Sequence, residues 1–211
     1  MKRLSVRRET DFESAVRNTE GVQPWRRLFH SGGGLAMIGL AHFAGADSAV
    51  MLAIVGAGAG VALILDVVRL RLEAANTVFF RVFAALASPR EAEKIASSTW
   101  FLIGALILLL FAPPGLFIPA MLVLAFADPA ASVVGRLWGR RRLGKGTWEG
   151  TTVFFLVAVI VLTPVVGFQR ALVGAVAAAA FEVLPSGVDD NLLVPLVTAG
   201  ALWLAGGAFG L

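Results

Sequence analysis

The sequence predicts an all-α fold: a polytopic membrane helix bundle of about seven transmembrane helices with a cytoplasmic N-terminus. Three observations carry that expectation. First, the 211 residues are 58% hydrophobic and only 15% charged, with a mean hydropathy of +0.82. Soluble domains are roughly 45–50% apolar and about 25% charged, and a chain of this size cannot bury such an excess inside a globule. Second, the apolar residues come in continuous runs of the length a helix needs to cross about 30 Å of hydrocarbon, without the alternation of a barrel wall. Third, the charges are strongly one-sided. The same composition excludes a disordered chain, and the absence of Cys excludes a disulfide-stapled secreted scaffold.

In chain order, residues 1–27 are charged and lack both the apolar core and the small-residue cleavage site of a signal peptide. They read as a cytoplasmic or interfacial N-terminal segment. Residues 28–211 read as a single transmembrane catalytic domain. Its expected spans are 28–46, 49–65, 97–112, 116–135, 151–168, 170–184 and 192–210, with the turn Ala112-Pro113-Pro114-Gly115 separating two of them. The stretch 76–88 is short and carries Arg81. It reads as an interfacial or partly buried helix, the alternative being an eighth span. On the seven-span count, 17 of 18 cations and 13 of 14 acids fall at or near one face, with only Arg170 and Asp47 on the other. By the positive-inside rule that face is cytoplasmic. The expected location is the cell inner membrane or its equivalent, with the site open to the cytoplasm. Two-sided carriers need mid-membrane polar groups and access from both faces, so a lipid or ion transporter is the weaker reading.

Four polar clusters stand out. The densest runs from Asp128 to Thr151. An ionisable group inside an apolar run is costly and marks function. Asp128, Ser132 and Gly135 recur at helical spacing and share a face, while Gly135 and Gly139 allow close approach to the backbone. A cationic loop follows, then Thr147 and Glu149. A carboxylate opposite Arg and Lys is what a Mg-nucleotide needs, the carboxylate for the metal and the cations for phosphate oxygens. Arg140 to Arg142 read equally well as topology anchors at lipid head groups. The second cluster is Arg26-Arg27-Leu28-Phe29-His30 before the glycine triplet Gly32–Gly34; basic anchors and close helix packing explain it without chemistry. The third, Asp66, Arg69, Glu73 and Asn76, reads as a local salt-bridge ladder or as part of a site. The fourth is Glu182 with Asp189, Asp190 and Asn191, either a helix cap or a second set of metal or ribose ligands. Neither a phosphate-loop motif nor a Cys/His zinc pattern is present.

Four blocks in order resemble the CTP-dependent lipid-alcohol kinases, the family of dolichol kinase, phytol kinase and the CTP-using diacylglycerol kinase. RRLFHSGGG is similar to the family's first-span signature, and DVVRLRLEAAN to its Asp-Arg-Asn block. DPAASVVGRLWGRRRLGKGTWEG is similar to its nucleotide block, and DDNLLVPL to the block before its final span. The third block is shared in outline with membrane CDP-lipid synthases. One departure is visible: where the family has Lys directly before the Ser/Thr of the Glu-Gly motif, this chain has Gly146, with Lys145 one residue earlier.

The resemblance implies a kinase moving the γ-phosphate of CTP to a polyprenol-, dolichol- or phytol-type alcohol, with Mg²⁺ as cofactor; the alternative is a cytidylyltransferase making a CDP-lipid. It implies Asp128 as metal ligand, with Glu149 or Asp190 as a second. Arg69, Arg136 and Lys145 would hold phosphate. Asn76, Ser132, Gly135, Gly139, Thr147, Glu149, Gly150 and Asn191 would complete the nucleotide site, and His30 or Asp66 would orient or deprotonate the alcohol. Expected partners are CTP, the lipid alcohol and membrane lipids, with no nucleic acid. The Gly-rich spans would permit a homo-oligomer.

Overall fold

In a computed structural model, which describes residues 10–20 and 24–208, the chain is helical almost throughout. The order is α1 (Asp11–Arg17), α2 (Pro24–Ala44), α3 (Ala49–Arg71), α4 (Glu73–Val82), α5 (Ser97–Phe111), α6 (Phe117–Leu122), a π-helical segment (Val123–Ala127), α7 (Asp128–Leu137), β1 (Arg142–Leu143), β2 (Gly146–Thr147), α8 (Trp148–Val166), α9 (Phe168–Val183) and α10 (Asp190–Ala208). Each of the seven apolar runs is helical over most of its length. Among the described residues three helical stretches are long and apolar enough to cross a membrane by length and composition: Ala49–Arg71, Pro114–Leu137 and Trp148–Val166. The large apolar side chains of α3, such as Ile54, Val61, Ile64 and Leu65, point outward, as lipid contact requires and water would not allow.

Small residues set the packing. Ala158 of α8, Ala171, Ala175 and Ala178 of α9, and Leu202 of α10 are all fully buried and join Phe154, Phe117 and Met121 in one core. Between lipid-solvated helices close backbone approach replaces the hydrophobic driving force, so an Ala-rich α9 wedged between α8 and α10 is what such a bundle needs.

The stretch 76–88 is not a span. Helix α4 has ten residues, about 15 Å at 1.5 Å per residue, half of what a crossing needs. It packs on α1 through Phe80 and Phe12, whose rings meet edge to face at 6.0 Å. Helix α1 starts with a capping box between Thr10 and Glu13. The rest of the expected N-terminal segment, 1–9 and 21–23, lies outside the described residues.

The span Pro114–Leu137 is irregular for a local reason. Pro129 has no N–H, and its ring collides with the carbonyl four residues back in a regular α-helix. The turn before it widens into a π-helix over Val123–Ala127, a distortion frequent at functional sites. Asp128 follows immediately.

The sequence did not announce β1 and β2, which pair antiparallel with Arg142 opposite Thr147 and Leu143 opposite Gly146. The two-residue turn between them is Gly144-Lys145, with Gly144 at φ +54°, the positive φ that short hairpins demand.

Candidate functional site

The helix ends α2, α5, α8 and α10 (N-terminal) and α7 and α9 (C-terminal) converge with the hairpin around a cavity of about 620 Å³, within the range of small-molecule sites. Seven cations line it (Arg26, Arg27, Arg90, Lys94, Arg136, Arg142 and Lys145) against five carboxylates (Glu91, Asp128, Glu182, Asp189 and Asp190). The cationic excess suits a polyanion. Helix N-termini add positive partial charge, but one N–H at the start of each of α5, α8 and α10 is already bonded within the protein. Ser97 N donates to Glu91 Oε1 at 3.1 Å, Gly150 N to Thr147 Oγ1 at 3.1 Å and Asn191 N to Asp189 Oδ1 at 3.1 Å. Anion binding therefore falls on the cationic side chains.

Helix α7 presents Asp128, Ser132 and Gly135 to the cavity, the shared face that their spacing predicted, and Arg136 beside them. Ser132 Oγ accepts from Arg27 Nε at 3.2 Å, which leaves its own proton to donate. Among the described residues no hydrogen bond reaches the half-buried Asp128 carboxylate. Gly135 and Gly139 do allow close approach, yet the partner is the chain itself. A Cβ at Gly135 would stand 3.1 Å from Thr147 Oγ1; one at Gly139 would stand 2.2 Å from Gly135 O and 2.7 Å from Thr147 Cγ2. They seat the start of α8 against the end of α7. Gly135, Thr147 and Gly150 border the cavity, whereas Gly139 does not.

The hairpin carries Lys145 across to α10, where its ammonium donates to Asp190 Oδ1. Lys145 N also donates to Val183 O at 3.1 Å, tying the turn to the end of α9. With Gly146 in the family lysine's place, Lys145 sits on the hairpin turn and reaches the cavity. At the head of α10, burial pushes the Asp190 carboxyl above its ordinary range, with the Lys145 ammonium pulling the other way. Asp189 accepts from Ser97 Oγ at 2.9 Å, and Asn191 Nδ2 donates to Ser97 O at 3.2 Å.

Several expected site residues lie elsewhere. Asp66, Arg69 and Asn76 do not line the cavity. All three are buried and bonded to one another: Arg69 Nε donates to Asp66 Oδ1, and Arg69 Nη1 to Asn76 Oδ1 at 3.0 Å. Their remaining bonds go to protein backbone and to the Thr99 hydroxyl, so the structure does not bring Asp66, Arg69 and Asn76 to the cavity where the catalytic and phosphate expectations placed them. Glu149 also stays outside the cavity; its Oε2 accepts from Arg140 N at 3.1 Å and Arg141 N at 3.5 Å, so it pins the hairpin rather than facing a metal. Spacing alone did not reveal Arg90, Lys94, Ser97 and Trp100, which reach the cavity from the Ser88–Ser97 loop and the start of α5. Arg26 and Arg27, indistinguishable in sequence from membrane anchors, line it too.

Four buried side-chain polar atoms lack a partner among the described residues: His30 Nε2, Thr151 Oγ1, Glu182 Oε2 and Arg170 Nε. The first three residues all border this one cavity. Native structures leave few such groups unpaired, and three around a single cavity are the mark of a ligand site. No group of three or more His, Asp or Glu is disposed to hold a metal ion by itself among the described residues. Mg²⁺, however, is commonly held by one or two carboxylates plus substrate phosphates. The unpartnered carboxylates of Asp128 and Glu182 fit that mode.

Comparison with known proteins gives two relatives. The chain is 28% identical to CTP-dependent diacylglycerol kinase 1 of Eremothecium gossypii over 133 residues, 63% of this chain and 35% of that protein. It is 35% identical to phytol kinase of Synechocystis sp. over 96 residues, 39% of this chain and 41% of that protein. Over these stretches the chain is similar to two CTP-dependent or phytol lipid kinases. It spans well under half the length of either kinase relative. No family model matches, and no solved structure matches.

Proposed function

We propose that the protein is an integral-membrane kinase that transfers the γ-phosphate of CTP to a long-chain lipid alcohol of polyprenol, dolichol or phytol type, in a seven-span fold with a cytoplasmic N-terminus. The observation that carries the reading is the cavity itself: seven cations, five carboxylates and three unpartnered polar atoms at one end of an apolar bundle. A transporter would need polar groups open to both ends. Kinase relatives support the reaction class and the donor.

The alcohol oxygen attacks the γ-phosphorus, the bond to the β–γ bridging oxygen breaks, CDP leaves, and the alcohol proton passes to a base. Such transfer depends on positioning and charge neutralisation. Arg136, Arg142 and Lys145 hold phosphate oxygens. Thr147 uses its oxygen to accept from Gly150 N, so its hydroxyl proton is available to the nucleotide, while Asn191 shares a side-chain hydrogen bond with His30. Of the two candidate bases only His30 faces the cavity; its unpartnered Nε2 takes the alcohol proton. Asp128, with Asp190 or Glu182, is assigned to Mg²⁺, which when bound neutralises phosphate charge. The lipid tail stays in hydrocarbon and only its hydroxyl reaches the cavity mouth.

The test is turnover of purified protein in nanodiscs with CTP labelled at the α- or γ-phosphorus, offered phytol, a polyprenol, diacylglycerol and phosphatidate in turn. CDP plus a labelled lipid monophosphate is expected. Pyrophosphate plus an α-labelled CDP-lipid formed from phosphatidate would move the assignment to a cytidylyltransferase, and no turnover with any of the four lipids would sink both.

The basic loop separates into two parts. Arg142 lines the cavity, whereas Arg140 and Arg141 do not. A hydrogen bond to a charged group is worth about 1.5–3 kcal/mol, so Arg142→Ala should raise the KM for CTP roughly 10- to 100-fold. Arg141→Ala should stay within about twofold, as surface cations usually do. Equal losses would mean that the loop's middle cations reach phosphate as well.

A further inference from the structure

Asp66, Arg69 and Asn76 lie outside the cavity, yet together they hold the loop that supplies two of its cations. Arg69 Nη1 donates to Glu91 O at 2.6 Å and Nη2 to Lys94 O at 2.7 Å. Asn76 Nδ2 donates to Ala92 O at 2.9 Å. Asp66 Oδ2 accepts from Ala96 N at 3.0 Å and from Thr99 Oγ1. Three carbonyls and one amide of a six-residue stretch are thus tied to α3 and α4. The guanidinium also lies over the Phe79 ring, 4.3 Å from its centroid, which fixes its plane. From the other side Arg26 pairs with Glu91 at 2.8 Å and donates to Leu86 O at 3.2 Å. Lys94 lies on this stretch and Arg90 immediately before it, and both are exposed side chains facing the cavity. Long flexible cations bind an anion best when their backbone is fixed in advance, because less entropy is lost on binding.

We propose that Asp66, Arg69 and Asn76 are positioning residues: a buried clamp on the Glu91–Ala96 backbone that sets Arg90 and Lys94 for the polyphosphate of the nucleotide. The clamp acts through these two cations and touches no substrate. It rests on the nucleotide reading of the cavity. Arg is required at position 69 because only a planar fork can bond Asp66, Asn76 and two divergent carbonyls at once. Lys keeps the charge beside Asp66 and loses the fork. Ala would instead strand a buried carboxylate and confound the result with unfolding.

The experiment is a coupling cycle. Arg69→Lys, Asn76→Asp and wild type are each made in the native background and in one carrying both Arg90→Ala and Lys94→Ala. Each is titrated with CTP and with inorganic tripolyphosphate, and amide hydrogen exchange is followed over residues 90–96. Arg69→Lys and Asn76→Asp should weaken binding of both ligands about tenfold in the native background and less than twofold where the two cations are gone, with faster exchange confined to the loop. Equal weakening in both backgrounds, or unchanged binding despite faster exchange, overturns the clamp. Binding of neither ligand by the wild-type chain would instead bring down the nucleotide reading, and the clamp with it.

Discussion

An Asp128→Asn protein is expected to fold, to insert and to run the kinase reaction roughly 10²- to 10³-fold more slowly than wild type. Asparagine keeps the shape and removes the negative charge. No hydrogen bond among the described residues reaches the Asp128 carboxylate, and its attraction to Arg27 and Lys145 is set against repulsion from Asp189, Asp190 and Glu182, so the fold depends little on that charge. Pro129 and the π-helical turn before it set the backbone, not the side chain. Stability should therefore be unchanged or slightly raised, since a partly desolvated charge in an apolar span is a cost. Neutralising phosphate charge with a metal ion is worth several kcal/mol of transition-state stabilisation, and each 1.4 kcal/mol is tenfold in rate. The measurement is kcat across a Mg²⁺ titration, beside a thermal melt. A variant with near-normal kcat at low Mg²⁺ removes Asp128 from the metal site and leaves Glu182 and Asp190 as the carboxylates to test.

Why the structure places Asp128 at the cavity and Asp66 away from it, when the sequence grouped both with the site, is a matter of what periodicity contains. Spacings of three and four establish that residues share a helical face. They do not say what that face meets. For α7 the face meets a cavity, because the neighbouring helix ends stop short of it and the hairpin arches over. For α3 the face carrying Asp66 and Arg69 meets a loop that returns some twenty-five residues later, and no local pattern foretells that return. Glu149 failed similarly: as an acid in the first turn of α8 it suited both a metal and the nearby backbone N–H groups of Arg140 and Arg141. The helices themselves were plain, since each apolar run exceeds what any strand uses. The hairpin was not, because its strands have two residues each, too few for alternation to register. Its one signal was the pair of glycines around Lys145. Arg90 and Lys94 carry no signal at all, since a solvated loop and a cavity-lining loop have the same composition.

Gly144→Ala should weaken CTP binding roughly 10- to 100-fold while leaving the helical bundle intact. Two effects combine at this residue. Its φ of +54° costs an L-residue about 1–2 kcal/mol, a penalty that falls on the turn alone. The larger effect is steric. A Cβ at Gly144 would lie 2.0 Å from Val183 O and 3.0 Å from Val183 C, and backbone at the end of a packed helix has nowhere to go. The hairpin must lift away from α9, which breaks the bond from Lys145 N to Val183 O and takes the ammonium away from Asp190. Losing one charge-assisted contact to phosphate is worth about 1.5–3 kcal/mol, and that sets the expected range. Gly167→Ala separates the two effects. Gly167 has a similar φ of +79°, but a Cβ there would meet nothing within 4 Å, and it sits at the α8–α9 turn away from the cavity. Its replacement should lower the melting temperature by a few degrees and leave CTP binding as in wild type. Lys145→Met should reproduce the binding loss of Gly144→Ala without its cost to stability, and adding Gly144→Ala to Lys145→Met should weaken binding little further. If Gly144→Ala binds CTP normally, the hairpin's seat on α9 does not place the lysine, and Lys145 leaves the phosphate site.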